Sequence, residues 1–525
     1  MTTESVIPFR RDEVKTDVMA ELSKGVDALL AAVDAGASPR ELEGSVWQLV
    51  LTVGRLLLTY ALALACRRVT EQDLRRRGLS RRDVWLRMDE DYHVSLTTTL
   101  GPVRVPVFAY RDRSSGLGTV TRAPARKQLF PLYPRCRSSE ACVEWEARLG
   151  SEHPFRKAQE ALRFFTHGAV ELEDTTIARH MVRVGLLVDR SWLYRPVEEV
   201  GEILRTRATR DAESEQPVLY VSSDAHALRR YVDETWDAQW KMANGLRLWC
   251  VDRHNGAIIH IGGEYTWGDC HVVKGALASL VASGHLPADG NYGDGVTARI
   301  VFISDGMPWF EDHLLPLLPS AVAVLDAYHA LERLGDYAAT RFGRGTPRAK
   351  DWYDKAVRTL LGQRPPKRAK GKRRKGHKKT RRTSRPKVET PPPGADLNRT
   401  PAAEALLDLL AVGRIPKAVA EAHAQLVAYI EHNAARMDFT RYRQLGYQIG
   451  SGAMESLHRT GSQARLKIPG GRWLRETSQA IFNLRMMTLA GRWRAFWDQP
   501  DITQQLAAAF AAPANDDTTC HAEAA

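Results

Sequence analysis

Cysteine is scarce and unpatterned in this chain: Cys66, Cys136, Cys142, Cys250, Cys270 and Cys520 are scattered over 525 residues without one CxxC pair. That scatter gives no basis for a disulfide framework or a zinc site read from spacing, and a reducing compartment is the simpler expectation. The opening residues, MTTESVIPFRRDEV, lack the apolar core of a signal peptide, so the chain is expected to stay in the cytoplasm where it is made. A long uncharged run is missing as well. The most apolar stretch, 49–65, is interrupted by Arg55 and followed at once by Arg67 and Arg68. Val46, Leu49, Val53, Leu56, Leu57, Tyr60 and Leu64 keep helical spacing there, which suits a bundle or a dimer interface, and no membrane span is expected. Acidic residues are absent from 364–387, where fourteen Lys and Arg are concentrated. The formal charge of +13 therefore sits on one strip, and the rest of the chain is near neutral. A concentrated basic strip on a neutral body suits a phosphate backbone, so the expected partner is nucleic acid.

What is present is ordinary: 44% hydrophobic and 26% charged residues, enough for two to four globular units in a chain of this length. Residues 1–90 read as a helical unit. In 91–137 the pattern becomes alternating and β-branched, YHVSLTTTL and VRVPVFAY around Gly101-Pro102, which predicts a hairpin. Helical periodicity returns over 138–215, where PFRKAQEALRFFTHG and EDTTIARHMVRVG have the proportions of a helix-turn-helix, or of two helices that simply pack.

The stretch 216–335 carries the most information. Strands are predicted at 218–223, 246–251 and 257–261, then a helix at 269–283, a strand at 299–304, a helix around 309–317, a strand at 321–325 and a helix from 326. Three strands joined by short connections, then alternating helices and strands, give the order βββαβαβα. That is the ribonuclease-H-like topology, an α/β core whose first and fourth strands lie adjacent and parallel. Asp224 and Asp305 close those two strands, so one edge of the sheet carries both carboxylates. A helical insertion is expected over 336–445, with a basic linker at 362–400. Residues 446–500 complete the core and place Glu455 at a helix start after a Gly/Ser turn, and 501–525 read as a flexible tail.

Phosphodiester cleavage needs an activated oxygen nucleophile, a stabilised leaving oxygen and relief of phosphate charge, which two divalent ions supply together. Such ions take hard oxygen ligands. Alone, Asp224 reads as a strand-end turn residue, Asp305-Gly306 as a turn dipeptide and Glu455 as helix-start chemistry. Their joint placement points to a metal-binding carboxylate triad.

The strings VLYVSSD, VFISDGMPWF, AVAVLDAYHALERL, IGSGAMES and LRMMTLAGRWRAFW, in that order, resemble DDE transposases of bacterial insertion sequences, near the Kra-type and Mutator-like branches. The resemblance spans about 90–500. It implies a catalytic, metal-binding triad of Asp224, Asp305 and Glu455 with Mg2+ or Mn2+, and a D/CxxH motif matched by Asp326 and His329. It also implies a mostly helical insertion before the Glu. Ala225 stands where relatives often carry Gly, and AYRDRSSG stands where many carry a cysteine-rich patch, so no metal is inferred there.

Asp326 and His329 share a helix face, where the His is suited to phosphate or proton chemistry; the pair also suits a plain helix start with Asp326 as cap. In the basic strip, Lys367, Arg368, Lys370, Lys372, Arg373, Arg374, Lys375, Lys378, Lys379, Arg381 and Arg382 are the expected phosphate contacts, which make binding salt-sensitive. Arg472 and Arg492 join them, interleaved with Trp473, Trp493 and Trp497, although core packing accounts for the tryptophans more simply. The expected activity is cleavage of transposon ends and joining of the 3′-OH to target DNA. Its partner would be double-stranded DNA at the nucleoid, and the enzyme at least a dimer. The competing reading is a catalytically silent DNA-binding protein of transposase origin.

Overall fold

The computed structural model describes residues 11–87, 92–113, 121–231, 237–362 and 400–512. Within them the chain is mixed α/β and divides into two compact units. One comprises Met1–Leu193, Leu228–Trp240 and Gly461–Ala525, the other Tyr194–Ala227 and Lys241–Thr460. The strip 364–387, with every lysine and arginine expected from it to touch phosphate, lies outside the described residues.

The first unit opens with α1 (Arg11–Asp34) and α2 (Pro39–Arg76). Ser38 starts α2 through a capping box, in which its backbone N–H donates to the Glu41 carboxylate at 2.8 Å and two orphan donors of the helix end are satisfied. By length and composition α2 is long and apolar enough to cross a bilayer. Strands β1 (Val84–Arg87) and β4 (Ala109–Asp112) pair antiparallel, as do β2 (His93–Thr98) and β3 (Gly101–Pro106). The second pair is the hairpin expected around Gly101. Its alternation sends Val94, Leu96, Val103 and Val105 inward, where they meet Cys66, Leu58 and Leu62 of α2. Four helices follow: α3 (Pro124–Leu129), α4 (Glu140–Glu152), α5 (Phe155–Phe165) and α6 (Asp174–Leu187).

The second unit begins with α7 (Val197–Thr206) and is built on a five-stranded sheet. The strands of this sheet are β5 (Val218–Tyr231), β6 (Ala238–Val251), β7 (Ile258–Trp267), β8 (Arg299–Ser304) and β9 (Val322–Leu325), in the order β7-β6-β5-β8-β9, of which β5 from Leu228 and β6 up to Trp240 are counted in the first unit. β6 and β7 are antiparallel, whereas β5, β8 and β9 run parallel. Helix α8 (Cys270–Ala282) connects β7 towards β8, and a π-helical turn, Phe310–Leu314, connects β8 towards β9. The helices α9 (Ala327–Phe342), α10 (Pro347–Leu360), α11 (Pro401–Ala411), α12 (Ala420–Asn433) and α13 (Phe439–Gln444) then build one core with the sheet. Leu334, Ala356, Leu406, Ile430 and Phe439 from these helices join Val218, Tyr220, Val301, Ile303 and Val324. The short α14 (Gly452–Leu457) ends the unit and runs into a second π-helical turn, His458–Gln463.

The chain then returns to the first unit with α15 (Ala464–Leu466), α16 (Arg475–Leu489), α17 (Trp493–Trp497) and α18 (Ile502–Ala511). Helices α4, α16 and α18 all pack on α6.

Several expectations need correcting. β5 does not end at Asp224 but continues to Tyr231, and β6 starts eight residues earlier than expected, both through arms whose side chains are mostly exposed or half-buried. The expected boundary at 335/336 cuts through α9, and the helical insertion is part of the sheet's own core. Only the residues to Thr460 complete the unit that carries Glu455; the remainder of 446–500 belongs to the first unit. The tail expected from 501 holds α18, whose Ile502, Leu506 and Phe510 are buried at four-residue spacing. Helix α6, the candidate groove-reading helix, buries Ile177, Ala178, His180, Met181, Val182, Val184 and Gly185, so it is a packed core helix.

Candidate active site

The apolar runs of β5 and β8 are buried and lie in parallel register from Val218 opposite Arg299 to Ser222 opposite Ile303. Extending that register by two positions sets Asp224 opposite Asp305, on strands about 4.8 Å apart. Both carboxylates are half-buried. The turn after Asp305 depends on Gly306, whose φ of 85° favours glycine and where a Cβ would lie 2.6 Å from the Asn433 side-chain oxygen. The Asp305 carboxylate accepts the Met307 N–H at 3.1 Å. Helix α12 holds the same turn from outside: the Tyr429 hydroxyl donates to the Asp305 carbonyl at 3.3 Å, and the fully buried Asn433 accepts from Arg436 at 2.5 Å.

The two aspartates are not equivalent. Burial raises the Asp224 carboxyl, but the hydrogen bond and charge of His458 outweigh it and hold the group below its usual range. Burial raises Asp305, and the Asp224 charge adds to it against the opposing Met307 N–H, so this carboxyl ends above its usual range. The pair is thus pushed apart in acidity, His458 lowering Asp224 while burial, with the Asp224 charge added, raises Asp305. His329 lowers both carboxyls electrostatically, and Arg333 lowers Asp305.

Glu455 is exposed in the first turn of α14. No contact joins it to either aspartate, and it lies three residues before His458. His458 Nε2 is 3.1 Å from Asp224 Oδ2, and its Nδ1 is 2.9 Å from the Tyr265 hydroxyl. The imidazole donates from Nε2 to Asp224, and Nδ1 is paired with the Tyr265 hydroxyl. His226 stacks obliquely on His458 with ring centroids 4.5 Å apart. The π-helical turn that begins at His458 is a local widening of a kind often found at functional positions.

The segment leading into α14 is fastened residue by residue. The Gln448 N–H donates to the Tyr220 hydroxyl at 3.0 Å, and the Ile449 carbonyl accepts the Ala327 N–H at 2.8 Å. The Ser451 N–H donates to Asp326 Oδ2 at 3.1 Å, and the Ser451 hydroxyl donates to the same oxygen. Asp326 is wholly buried, and its other oxygen caps α9 by accepting the Tyr328 N–H at 2.8 Å. Asp326 therefore ties the start of α9 to the start of α14 and is not open to a substrate. His329 is part-exposed, 4.0 Å from Asp326 and 3.8 Å from Glu332.

No family model matches this chain, and no curated protein matches it. Among solved structures it is similar to a Drosophila P element transposase strand transfer complex. The two are 12% identical with a TM-score of 0.31, over 69% of this chain and 93% of that chain.

The remaining expected DNA contacts lie in the first unit. Arg472 is exposed, whereas the Arg492 guanidinium lies 4.8 Å from the Trp192 ring centre, an internal cation–π contact. Trp473 and Trp497 are core residues, and the Trp493 indole donates to Glu144 at 2.9 Å. Sequence reasoning passed over His458, Tyr265, Tyr429, Arg333 and Asn433. The spacing Glu455-x-x-His458 was the one available signal, since it puts both side chains on one helical face.

Proposed function

We propose that this chain is a DNA transposase of the DDE type, which cleaves the ends of a mobile DNA segment and joins the freed 3′-OH to target DNA. The observation that supports the proposal is the parallel β5/β8 register, observed to Ser222 opposite Ile303 and leading on to Asp224 and Asp305, together with the fastening of the Glu455 helix through His458 to Asp224 and through Ser451 to Asp326. An antiparallel β7-β6 arm continued by parallel β5, β8 and β9 supports a ribonuclease-H-like core.

The donors suit hard divalent cations, Mg2+ or Mn2+, because they are carboxylates, and Asp305, raised chiefly by burial and further by the Asp224 charge, is a group whose ionised form a cation would favour. Asp224, Asp305 and Glu455 would hold the ions, which when bound activate the nucleophile and neutralise phosphate charge. His458, locked by Tyr265, orients Asp224 and keeps it ionised. His329, within electrostatic reach of both aspartates, is placed to donate to a phosphate oxygen or to hold a proton. Double-stranded DNA is the partner, with the basic strip on its backbone, and two ends require at least two copies of the chain.

The test uses a labelled duplex from the DNA flanking the gene, where a transposase requires terminal inverted repeats, with cleavage and binding measured side by side. Asp224→Asn, Asp305→Asn and Glu455→Gln keep side-chain size and remove a ligand charge. Each is expected to abolish Mg2+-dependent cleavage nearly as completely as the triple variant, because the ligands act as one unit, with end-binding retained. Near-normal cleavage by two of the three variants would sink the mechanism.

A further inference from the structure

Away from the carboxylates, the second unit brings together a thiol and two imidazoles. Cys270 and His271 open α8, and His313 comes from the π-helical turn Phe310–Leu314. Their ligand atoms all lie within 4.8 Å of one another, and the two histidine rings are 5.1 Å apart. A tetrahedral zinc ion with bonds of about 2.0 Å to nitrogen and 2.3 Å to sulfur sets its ligands roughly 3.3–3.7 Å apart. Small rotations of side chains that are part-exposed or exposed would close that difference. Among the described cysteines, Cys66, Cys136, Cys142 and Cys250 are buried, and Cys270 is the one within reach of solvent. The Asp269 carboxylate accepts the His271 N–H at 3.0 Å and fixes the backbone that presents both ligands.

We propose that Cys270, His271 and His313 form a zinc site, with the fourth position left to water. Sulfur and imidazole ligands select a borderline cation such as Zn2+, whereas the carboxylate site suits a hard one, so the two sites would not compete for the same ion. The site clips the start of α8 to the turn that follows Asp305 by five residues, and so braces the loop that presents that carboxylate. It does not depend on the chain being a transposase.

The experiment uses the untagged full-length chain, freed of metal and titrated with Zn2+ against a chromophoric chelator, and separately with Co2+ to look for thiolate-to-cobalt absorption. One equivalent of tightly bound zinc and a thiolate–cobalt band are expected. Cys270→Ser, His271→Ala and His313→Ala should each weaken zinc binding by at least about a hundredfold, since loss of a supporting group alone costs 10–100-fold. His271 is exposed, so its replacement leaves the core intact and keeps the test valid if another variant misfolds. An Asp224→Asn/Glu455→Gln chain should bind zinc normally, which separates this site from the cleavage reaction. A chain without the cobalt band, or a band that survives both Cys270→Ser and His271→Ala, would overturn the assignment.

Discussion

Replacing Asp326 by alanine tests whether this residue acts as a structural tie. The substitution removes the cap of α9, worth about 1 kcal/mol. It also strands the Ser451 N–H and hydroxyl, which both donate to Asp326 in a site where Ser451 is 6% exposed. Each orphaned donor costs about 1–3 kcal/mol. With partial relaxation the loss sums to about 3–5 kcal/mol, and the melting transition of the second unit should fall by roughly 10 °C. Asp326→Asn keeps one acceptor oxygen, which can serve Ser451 or Tyr328 but not both, so it should fall between wild type and alanine. Ser451→Ala should cost less, and the Asp326→Ala/Ser451→Ala pair should be non-additive by roughly 1–3 kcal/mol because both changes break the same bonds. Urea unfolding followed by tryptophan fluorescence measures all four variants. A loss below about 1 kcal/mol for Asp326→Ala, or simple additivity in the cycle, would refute the tie and return Asp326 to the list of groups that meet substrate.

His329→Ala should lower cleavage while the melting temperature and end-binding stay unchanged; early melting with aggregation would mark it as structural. Deleting 364–387 should flatten the salt dependence of DNA binding and weaken end and random duplexes alike; a titration in which random DNA binds as before while discrimination is lost would contradict this. In the first unit, burial works against the charged His180 imidazole, but Glu146 beside it prevails and holds the group up to about 9. A folded value above the ordinary 6.5 contributes stability that is full below that pH and lost as pH rises through about 9. The first unit should therefore melt lower at alkaline than at neutral pH, and Glu146→Gln should erase the difference; a wild-type profile flat across that window would exclude the coupling.

The sheet was legible because β5, β8 and β9 each read as a short apolar run, and all three runs lead into an aspartate, Asp224, Asp305 and Asp326. The far arms of β5 and β6 were not, since their side chains are mostly exposed or half-buried and form no continuous apolar run to read. Asp326 and His329 were found as a pair, but DxxH is also what a capped helix start looks like, and only burial shows which role the aspartate takes. His458 was missed because its partner Asp224 is 234 positions away. The Cys270, His271 and His313 cluster escaped for the same reason: its members meet through space and follow no ligand spacing.

The first unit is assembled from both ends of the chain. At about 5–20 residues per second, the ribosome takes roughly 15–50 s to travel from Leu193 to Gly461. Throughout that interval α6 lacks α16 and α18, and the groove where Gly185 receives Ala480 stays open. The nascent protein must keep this apolar surface from neighbouring chains until its last helices emerge. A product stopped near Thr460 would retain every acidic residue of the candidate active site yet never close that surface, so premature termination should yield aggregation and proteolysis instead of a shortened enzyme.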